Sequence, residues 1–340
     1  MFTFFSRSTF VLLSFYTILS IVIYASFKSS EEQSDSSKFE KLADDLAITS
    51  EFIKVDYYSQ KNDKPYVYLN ASSMVMDHTK NFLNLKSPFG NTYSNDSKPV
   101  NYKALSGKLD LNDKNLTLVG SVIVWDKLSE IKSEQLTYIQ SKDLAEFIGN
   151  IKSYSVAEKS GDQVYIDSIK AIAWPNKKEG EYLGNVVGKI IRKKPYEPGI
   201  NFKTDKMKLQ LNNSYIELIN NVYIKRDNAE AFAMRGEIFL ENYNKKLKYY
   251  ALYDDVKLIQ HLPGKIPIDP KYPNGPKKPN DRRSFSEKLE GFAKEAKIVL
   301  TGYPKVIHEQ DVVKGNKITF YENTEIVEVD DSTSSFIISK

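Results

Sequence analysis

The sequence predicts an all-β protein that follows one membrane-spanning helix at the N-terminus. Three observations predict this class. An uncharged apolar run occupies Ser8–Phe27, apolar residues alternate with polar ones after residue 50, and a strand pattern recurs at a distance of 182 residues. Alternation with a period of two is the pattern of half-buried β-strands, whereas an uncharged run of about 20 residues is typical of a transmembrane helix.

The N-terminal run is predicted to be a retained membrane anchor at 8–27. As a helix, its twenty residues would extend about 30 Å, the thickness of the hydrocarbon core of a bilayer. Arg7 precedes the run and Glu31 and Glu32 follow it soon after, so we expect the N-terminus in the cytoplasm and the remainder across the inner membrane, in the periplasm. The alternative is a cleaved signal peptide, but Tyr24–Lys28 is a poor cleavage site.

The rest of the chain is predicted to consist of many short antiparallel strands. Val164–Trp174 and Leu116–Trp125 both place apolar residues at every second position, and Asn, Asp, Gly and Lys clusters separate such runs. One short helix is predicted within Phe39–Ile53, and no other segment after residue 50 has a helical apolar stripe.

Proline-rich segments suggest how the chain is divided. Six of the thirteen prolines lie within 262–283, which is therefore predicted to be an exposed loop or linker. Lys193–Gly199 contains two further prolines and is the predicted boundary between domains. The predicted organisation is an anchor at 8–27, a linker at 28–50, and β-modules at 51–192 and 200–340.

The composition excludes several classes of function. The chain has 340 residues, 48 basic and 44 acidic side chains and a formal charge of +4, without the marked basic excess of nucleic-acid-binding domains. It has no cysteine, which excludes disulfides, thiolate metal sites and cysteine nucleophiles, and its three histidines argue against a multi-His metal centre. No cofactor is expected.

The internal repeat is the most informative feature of the sequence. Leu118–Val124 aligns with Leu300–Val306, so that Gly120 matches Gly302. At the same offset Ile131–Tyr138 aligns with Val313–Phe320, and Asp143–Phe147 with Glu325–Val329. A weaker copy lies between them, at Glu217–Ile224 and Gly236–Leu240. Each unit is too small to bury its own apolar face, so the units are expected to stack.

The strand motifs resemble the periplasmic lipopolysaccharide-transport family that includes LptA and LptC. Ile200–Leu209, with Thr204-Asp205 and the later Asn220–Ile224, is similar to the opening strands of that family. Leu300–Gly302 followed by Lys314–Phe320 is similar to its later repeat, although Tyr303-Pro304 departs from the usual pattern. The first half of the chain looks like the anchored, LptC-like member, and the second half like the soluble, LptA-like member.

This resemblance implies a fold and a function. The fold would be an elongated, twisted antiparallel β-jelly-roll, open at both ends, with the acyl chains of lipopolysaccharide in its groove. Modules would join through edge strands into a bridge between the two membranes, because an unpaired strand edge is a row of free hydrogen-bonding groups. The implied partners are lipopolysaccharide, an inner-membrane ABC-type exporter complex and other jelly-roll bridge proteins.

Apolar positions that recur in the repeats are the predicted lipid-binding residues. All are expected to face inward at strand periodicity; they are Val122, Val124, Leu136, Phe147, Val222, Ile224, Ile238, Leu240, Val306, Ile318, Phe320 and Val329. The alternatives are a scaffold with a filled core and a hydrolase whose site is not evident. No catalytic motif occurs, and Asp77-His78 and Asp254-Asp255 are the nearest approach to an acid–base pair.

Overall fold

The computed structural model describes residues 49–61, 64–77, 81–93, 99–241, 246–262, 280–309, 311–321 and 327–335. The chain divides into two units. The first, Met1–Thr49 with Asp77–Lys80, falls almost wholly outside the described residues, as do the predicted anchor and nearly all of the linker. Among the described residues, none forms a helix of the length and apolarity needed to cross a bilayer. The second unit, Ser50–Met76 with Asn81–Lys340, contains the features discussed below.

The predicted all-β class is confirmed, because the described residues form an antiparallel sheet of 22 strands and a single 3-10 turn at Gln140–Lys142. The strands are β1 (Thr49–Lys61), β2 (Lys64–Asp77), β3 (Phe82–Lys86), β4 (Phe89–Tyr93), β5 (Pro99–Lys103), β6 (Ser106–Asp110), β7 (Leu116–Trp125), β8 (Ser129–Ile139), β9 (Leu144–Val156), β10 (Gln163–Trp174), β11 (Glu179–Ile191), β12 (Ile200–Gln210), β13 (Tyr215–Arg226), β14 (Ala229–Leu240), β15 (Leu247–Leu262), β16 (Asn280–Phe292), β17 (Lys297–Thr301), β18 (Lys305–His308), β19 (Asp311–Lys314), β20 (Lys317–Tyr321), β21 (Val327–Asp330) and β22 (Thr333–Ser335).

Two local predictions need correction. Thr49–Ile53 belongs to β1 and is not helical, because its residues join a sheet, and the rest of the predicted short helix lies outside the described residues. The predicted loop at 262–283 is shorter at both ends. Leu262 pairs with Asn280 and Ile259 pairs with Arg283, so the sheet continues up to the prolines; residues 263–279 are not described.

The strands from β7 to β16 each pair with the next strand along the chain. Most of these pairings shift in register at mid-strand, which divides each strand into two halves. We call the half-sheet that pairs around Leu118, Leu218 and Leu300 tract A, and the half-sheet that pairs around Val124, Ile224 and Val306 tract B. After β16 the tracts are made of separate short strands, with β17, β20 and β21 in tract A and β18, β19 and β22 in tract B.

The sheet runs without a break past the predicted domain boundary. Lys193–Gly199 connects β11 to β12, and these two strands pair directly along most of their length. Tyr182 faces Met207 in tract A, and Gly188 faces Phe202 in tract B. The division of the chain into two modules stays a prediction.

Candidate functional site

Alternate bent strands have two consecutive residues with positive φ at mid-strand. In β9 these are Gly149 and Asn150, with φ of 82° and 44°, and in β11 they are Gly184 and Asn185, with φ of 78° and 49°. Gly, Asn and Asp adopt this conformation at the lowest cost. The other pairs are Gly120-Ser121, Asn220-Asn221, Asp254-Asp255 and Gly302-Tyr303. Each pair interrupts the ladder as a bulge does, and the strand passes there from tract A to tract B.

The position of Asp254-Asp255 therefore has a structural explanation. Both residues are exposed and form the bulge of β15, with φ of 65° and 53°. Short polar side chains tolerate this conformation, which accounts for their presence in a strand. The other predicted acid–base candidate, Asp77-His78, has no described side chains.

Buried hydroxyls on the intervening strands satisfy backbone groups at the bulges. The Thr204 hydroxyl accepts from the Ile219 amide at 3.1 Å and lies 2.8 Å from the Ile219 carbonyl oxygen. The Ser133 and Ser168 hydroxyls donate to the carbonyls two residues further on, at 3.0 Å and 3.1 Å. Since a buried backbone group without a partner is costly, these hydroxyls stabilise the bends.

Directly paired positions in tract A form a continuous inward row across the sheet. From strand to strand it consists of Leu85, Gly107, Leu118, Leu136, Phe147, Ala171, Tyr182, Met207, Leu218, Gly236, Leu252, Leu289, Leu300, Ile318 and Val329. A parallel row in tract A passes through Leu116, Ile216, Ile298 and Phe320. Tract A therefore presents an inner face without a charged side chain in these two rows.

Tract B has a matching inward row. It consists of Leu69, Gly90, Tyr102, Val124, Ile131, Ser153, Ile166, Gly188, Phe202, Ile224, Ala231, Leu258, Ser284, Val306 and Val313. We call the side of each tract that lies away from the bulges its margin. The next row of tract B toward its margin is partly polar, with Arg226, Gln260, Arg282 and His308. The inner face of tract B is thus mostly apolar at its centre, with Ser153 and Ser284 as exceptions, and carries cationic groups at this margin.

Two side-chain contacts show that the inner faces of the tracts meet. The Tyr182 hydroxyl, from tract A, donates to Ser153 Oγ in tract B at 2.9 Å. At the margin, the Arg282 guanidinium of tract B lies 4.4 Å from the centre of the Phe320 ring of tract A. Burial raises the pKa of Tyr182, although the bond to Ser153 opposes this shift, so the phenol stays neutral and can donate.

Eleven of the twelve predicted lipid-binding residues take part in this common core. Val122, Leu136, Phe147, Val222, Val306, Ile318 and Phe320 are buried, and Val124, Ile224, Ile238 and Val329 are half-buried and pack against the core. Leu240 differs, because it is half-buried beside Leu247 near the end of β14 and is not among the side chains packed on the core. Whether any of these residues contacts lipid stays a prediction.

The inner faces are shielded from solvent. Leu118 and Ile318 are 0% exposed, and Val222 is 2% exposed. Close-packed apolar interiors of this kind leave little free volume. Tracts A and B are thus packed against each other, and Arg282 covers Phe320 at the margin.

An ion pair between a half-buried guanidinium and a buried carboxylate closes one turn at the end of tract B. Arg192 donates to Asp162 at 2.9 Å, and the Lys193 amide donates to the same carboxylate at 3.0 Å. Burial disfavours the charged carboxylate, but these donors prevail and hold the pKa of Asp162 below its usual value. The pair ties the β9–β10 turn to the end of β11.

Sequence reasoning did not find several residues that build this interior. Tyr182 contacts Ser153, and Arg282 contacts Phe320, across strands that are separate in the sequence, so no local pattern indicates these contacts. The bulges did have a local signal, since Gly149-Asn150 and Gly184-Asn185 are turn-type dipeptides in the middle of strand patterns.

The family comparison agrees with the resemblance predicted from the sequence. Residues 15–146 match the family described as "Lipopolysaccharide-assembly, LptC-related". This match begins within the apolar N-terminal run, ends in β9 and covers less than half of the chain. The matched residues are thus similar to this family, as the strand motifs predicted.

Other comparisons are more distant. A solved structure of LptH from Pseudomonas aeruginosa, titled as the LptA-homologous periplasmic component of the lipopolysaccharide transport device, is 13% identical. The similarity covers 41% of this chain and 95% of that one, with a TM-score of 0.34. No curated protein sequence matches the chain.

Proposed function

We propose that this protein carries lipopolysaccharide between the inner and outer membranes by holding its acyl chains between tracts A and B, without catalysing a reaction. The family match over residues 15–146 supports a role in lipopolysaccharide transport. The observation that carries the finer proposal is the largely apolar inner face, whose rows continue in register from strand to strand. Burying an acyl chain there would contribute about 0.8 kcal/mol for each methylene removed from water.

A scaffold that binds envelope proteins without carrying lipid is the second candidate. It is favoured by one observation, the near-complete burial of Leu118 and Ile318 by the protein's own side chains. The two candidates differ in whether the inner faces separate to admit a ligand. Both keep the apolar rows, but only the carrier brings them into contact with acyl chains.

A photo-crosslinking amino acid at Ile318 or Val222 is expected to capture lipopolysaccharide in membranes supplied with ATP. The expectation follows from the inward position of both residues. Lys317 is the matched control for Ile318, because it is the adjacent residue on β20, is exposed and pairs with Asp330 on the outer face. Lys206, on the outer face of β12, is the control for Val222. Equal capture at inner and outer positions, or none at the inner ones in folded protein, would favour the scaffold.

The proposed location is the inner membrane, with a retained N-terminal anchor and the sheet in the periplasm. It is supported by the twenty-residue uncharged run and its poor cleavage site. Mass spectrometry of the native protein is expected to find Met1 or Phe2 at the N-terminus, in the membrane fraction. A soluble mature chain that begins within residues 26–30 would contradict retention of the anchor.

Edge strands are the proposed contacts with other bridge proteins, and the inner-membrane ABC-type exporter is a further proposed partner. Among the described residues, β21 pairs only with β20, and β22 only with β19. Each of these strands thus has one edge without a described neighbour. A strand from another jelly-roll protein could extend the sheet there through backbone hydrogen bonds.

A further inference from the structure

The outer faces of the two tracts differ in charge. In the two outward rows nearest the bulges, tract A has eight basic and seven acidic side chains: Lys86, Lys108, Lys170, Lys206, Lys208, Arg235, Lys288 and Lys317, with Glu146, Glu181, Glu217, Glu237, Glu290, Glu328 and Asp330. Tract B has ten basic and three acidic ones: Lys103, Lys132, Lys152, Lys189, Lys203, Lys225, Lys257, Arg283, Lys305 and Lys314, with Glu130, Asp167 and Glu230. The formal charge of +4 is therefore unevenly distributed.

Ion pairing follows the same division. On tract A, most cations contact carboxylates, as at Lys206–Glu181 (2.7 Å) and Lys288–Glu290 (2.9 Å). On tract B, Lys225 contacts Glu230 and Lys132 contacts Glu130, both at 2.8 Å. The remaining basic side chains in the two rows of tract B form no ion pair with a described carboxylate. Their charge is thus not neutralised by the described part of the fold.

The most regular part of this surface combines lysines with aromatic rings on neighbouring strands. Seven directly paired positions on consecutive strands of tract B, here called the basic–aromatic row, are Lys203, Tyr223, Phe232, Lys257, Phe285, Lys305 and Lys314. Each faces outward, because its neighbour along the strand belongs to the inward row of tract B. With strands about 4.8 Å apart, the row is roughly 30 Å long.

Apolar side chains in and beside this row remain exposed. Phe232 and Phe285 are 36% and 38% exposed, and Val187, which pairs with Lys203, is 43% exposed. The Lys257 ammonium lies 5.7 Å from the centre of the Phe232 ring, and Tyr223 packs on Phe232 with ring centres 5.1 Å apart. An exposed surface that combines lysines with aromatic rings fits a partner that is both anionic and partly apolar.

We propose that the basic–aromatic row docks on the anionic headgroup surface of a lipid bilayer. Lysines are attracted to anionic lipids, and aromatic side chains favour the interface between headgroups and acyl chains. A bilayer fits better than a soluble polyanion, because the apolar side chains would gain nothing from a purely polar partner.

Sheet twist limits the area of contact. Adjacent strands rotate by about 20–25°, so a flat bilayer cannot touch the whole row equally. The centre of the row, Phe232 to Phe285, would make the closest contact. The flexible side chains of Lys203 and Lys314 would reach the same surface from either side.

Spin labelling of the full-length protein in vesicles tests this docking. The absence of native cysteine allows one label at Ile259→Cys, which faces outward beside the row, and a control label at Thr301→Cys, on the outer face of tract A. The readout is the ratio of label collisions with oxygen to those with a water-soluble nickel chelate. With vesicles containing phosphatidylglycerol, the ratio at position 259 should rise severalfold over that in pure phosphatidylcholine, and high salt should lower it again. The ratio at position 301 should stay unchanged.

Charge reversal provides the second arm. Replacing Lys203, Lys257, Lys305 and Lys314 by glutamate should abolish the rise at 259, since each lysine near an anionic surface strengthens attachment roughly fivefold. The matched control reverses four exposed lysines elsewhere, Lys86, Lys127, Lys142 and Lys177, and should retain the rise. Equal ratios in the two kinds of vesicle, a rise at both label positions, or equal loss in both reversed proteins would overturn the proposal.

Discussion

Replacing Leu252 by alanine is expected to lower the free energy of unfolding by about 2–5 kcal/mol. Leu252 is fully buried, with Gly236 opposite it on one side and Leu289 on the other. Its Cδ2 lies only 3.1 Å from the place that a Cβ on Gly236 would occupy, so leucine fills the space that the glycine leaves. Truncation would leave a cavity at the centre of the tract A inner face.

The matched control is Leu211→Ala in the β12–β13 turn, where leucine is 59% exposed. Its expected cost is below about 0.5 kcal/mol, as for most surface substitutions. Chemical denaturation followed by circular dichroism measures both values. Equal costs for the two variants would mean that the inner faces are not packed together as described.

Deleting residues 330–340 is expected to abolish association with the next bridge protein while leaving the fold largely intact. The deletion removes β22, which pairs with β19 at only three positions, and the end of β21. It also removes surface contacts such as the 3.2 Å pair between Lys317 and Asp330, and exposed pairs of this kind contribute little to stability.

A pull-down with purified jelly-roll partners measures this association. The control is the denaturation midpoint of the truncated protein, which should stay close to that of the intact chain because the core rows are complete without these residues. Undiminished binding by the folded, truncated protein would place the contact elsewhere in the chain.

Much of the fold could be predicted from the repeat in the sequence. Leu136 and Ile318, which the 182-residue offset aligns, both lie in the inward row of tract A, and Val124 and Val306 both lie in that of tract B. Gly120 and Gly302 have nearly the same positive φ, 80° and 75°. Strand periodicity and repeat spacing were sufficient here, because each repeat position faces the core for the same reason.

Contacts between the tracts could not be predicted in this way. Alternation shows which side chains share a face of a strand, but not which faces meet after the strands bend. The bond from Tyr182 to Ser153 depends on the bulges of β9, β10 and β11 together. Leu240 has the predicted periodicity, but it lies near the end of β14 and is not among the side chains that pack on the core.

The central claim is that acyl chains lie between tracts A and B. It is tested most directly by measuring whether the two tracts separate when lipid binds. The distance between the margins would be measured between two spin labels. One is at Arg283→Cys, in the part of β16 that belongs to tract B, and the other is at Lys297→Cys, in β17 of tract A. Labels at Lys297→Cys and Glu179→Cys, both within tract A, form the control pair.

If acyl chains occupy the interior, lipopolysaccharide should lengthen the first distance by several ångströms and leave the second unchanged. Its lipid-free polysaccharide should change neither distance, because only acyl chains need the space between the inner faces. An unchanged distance between the margins in protein with bound lipopolysaccharide would contradict this account.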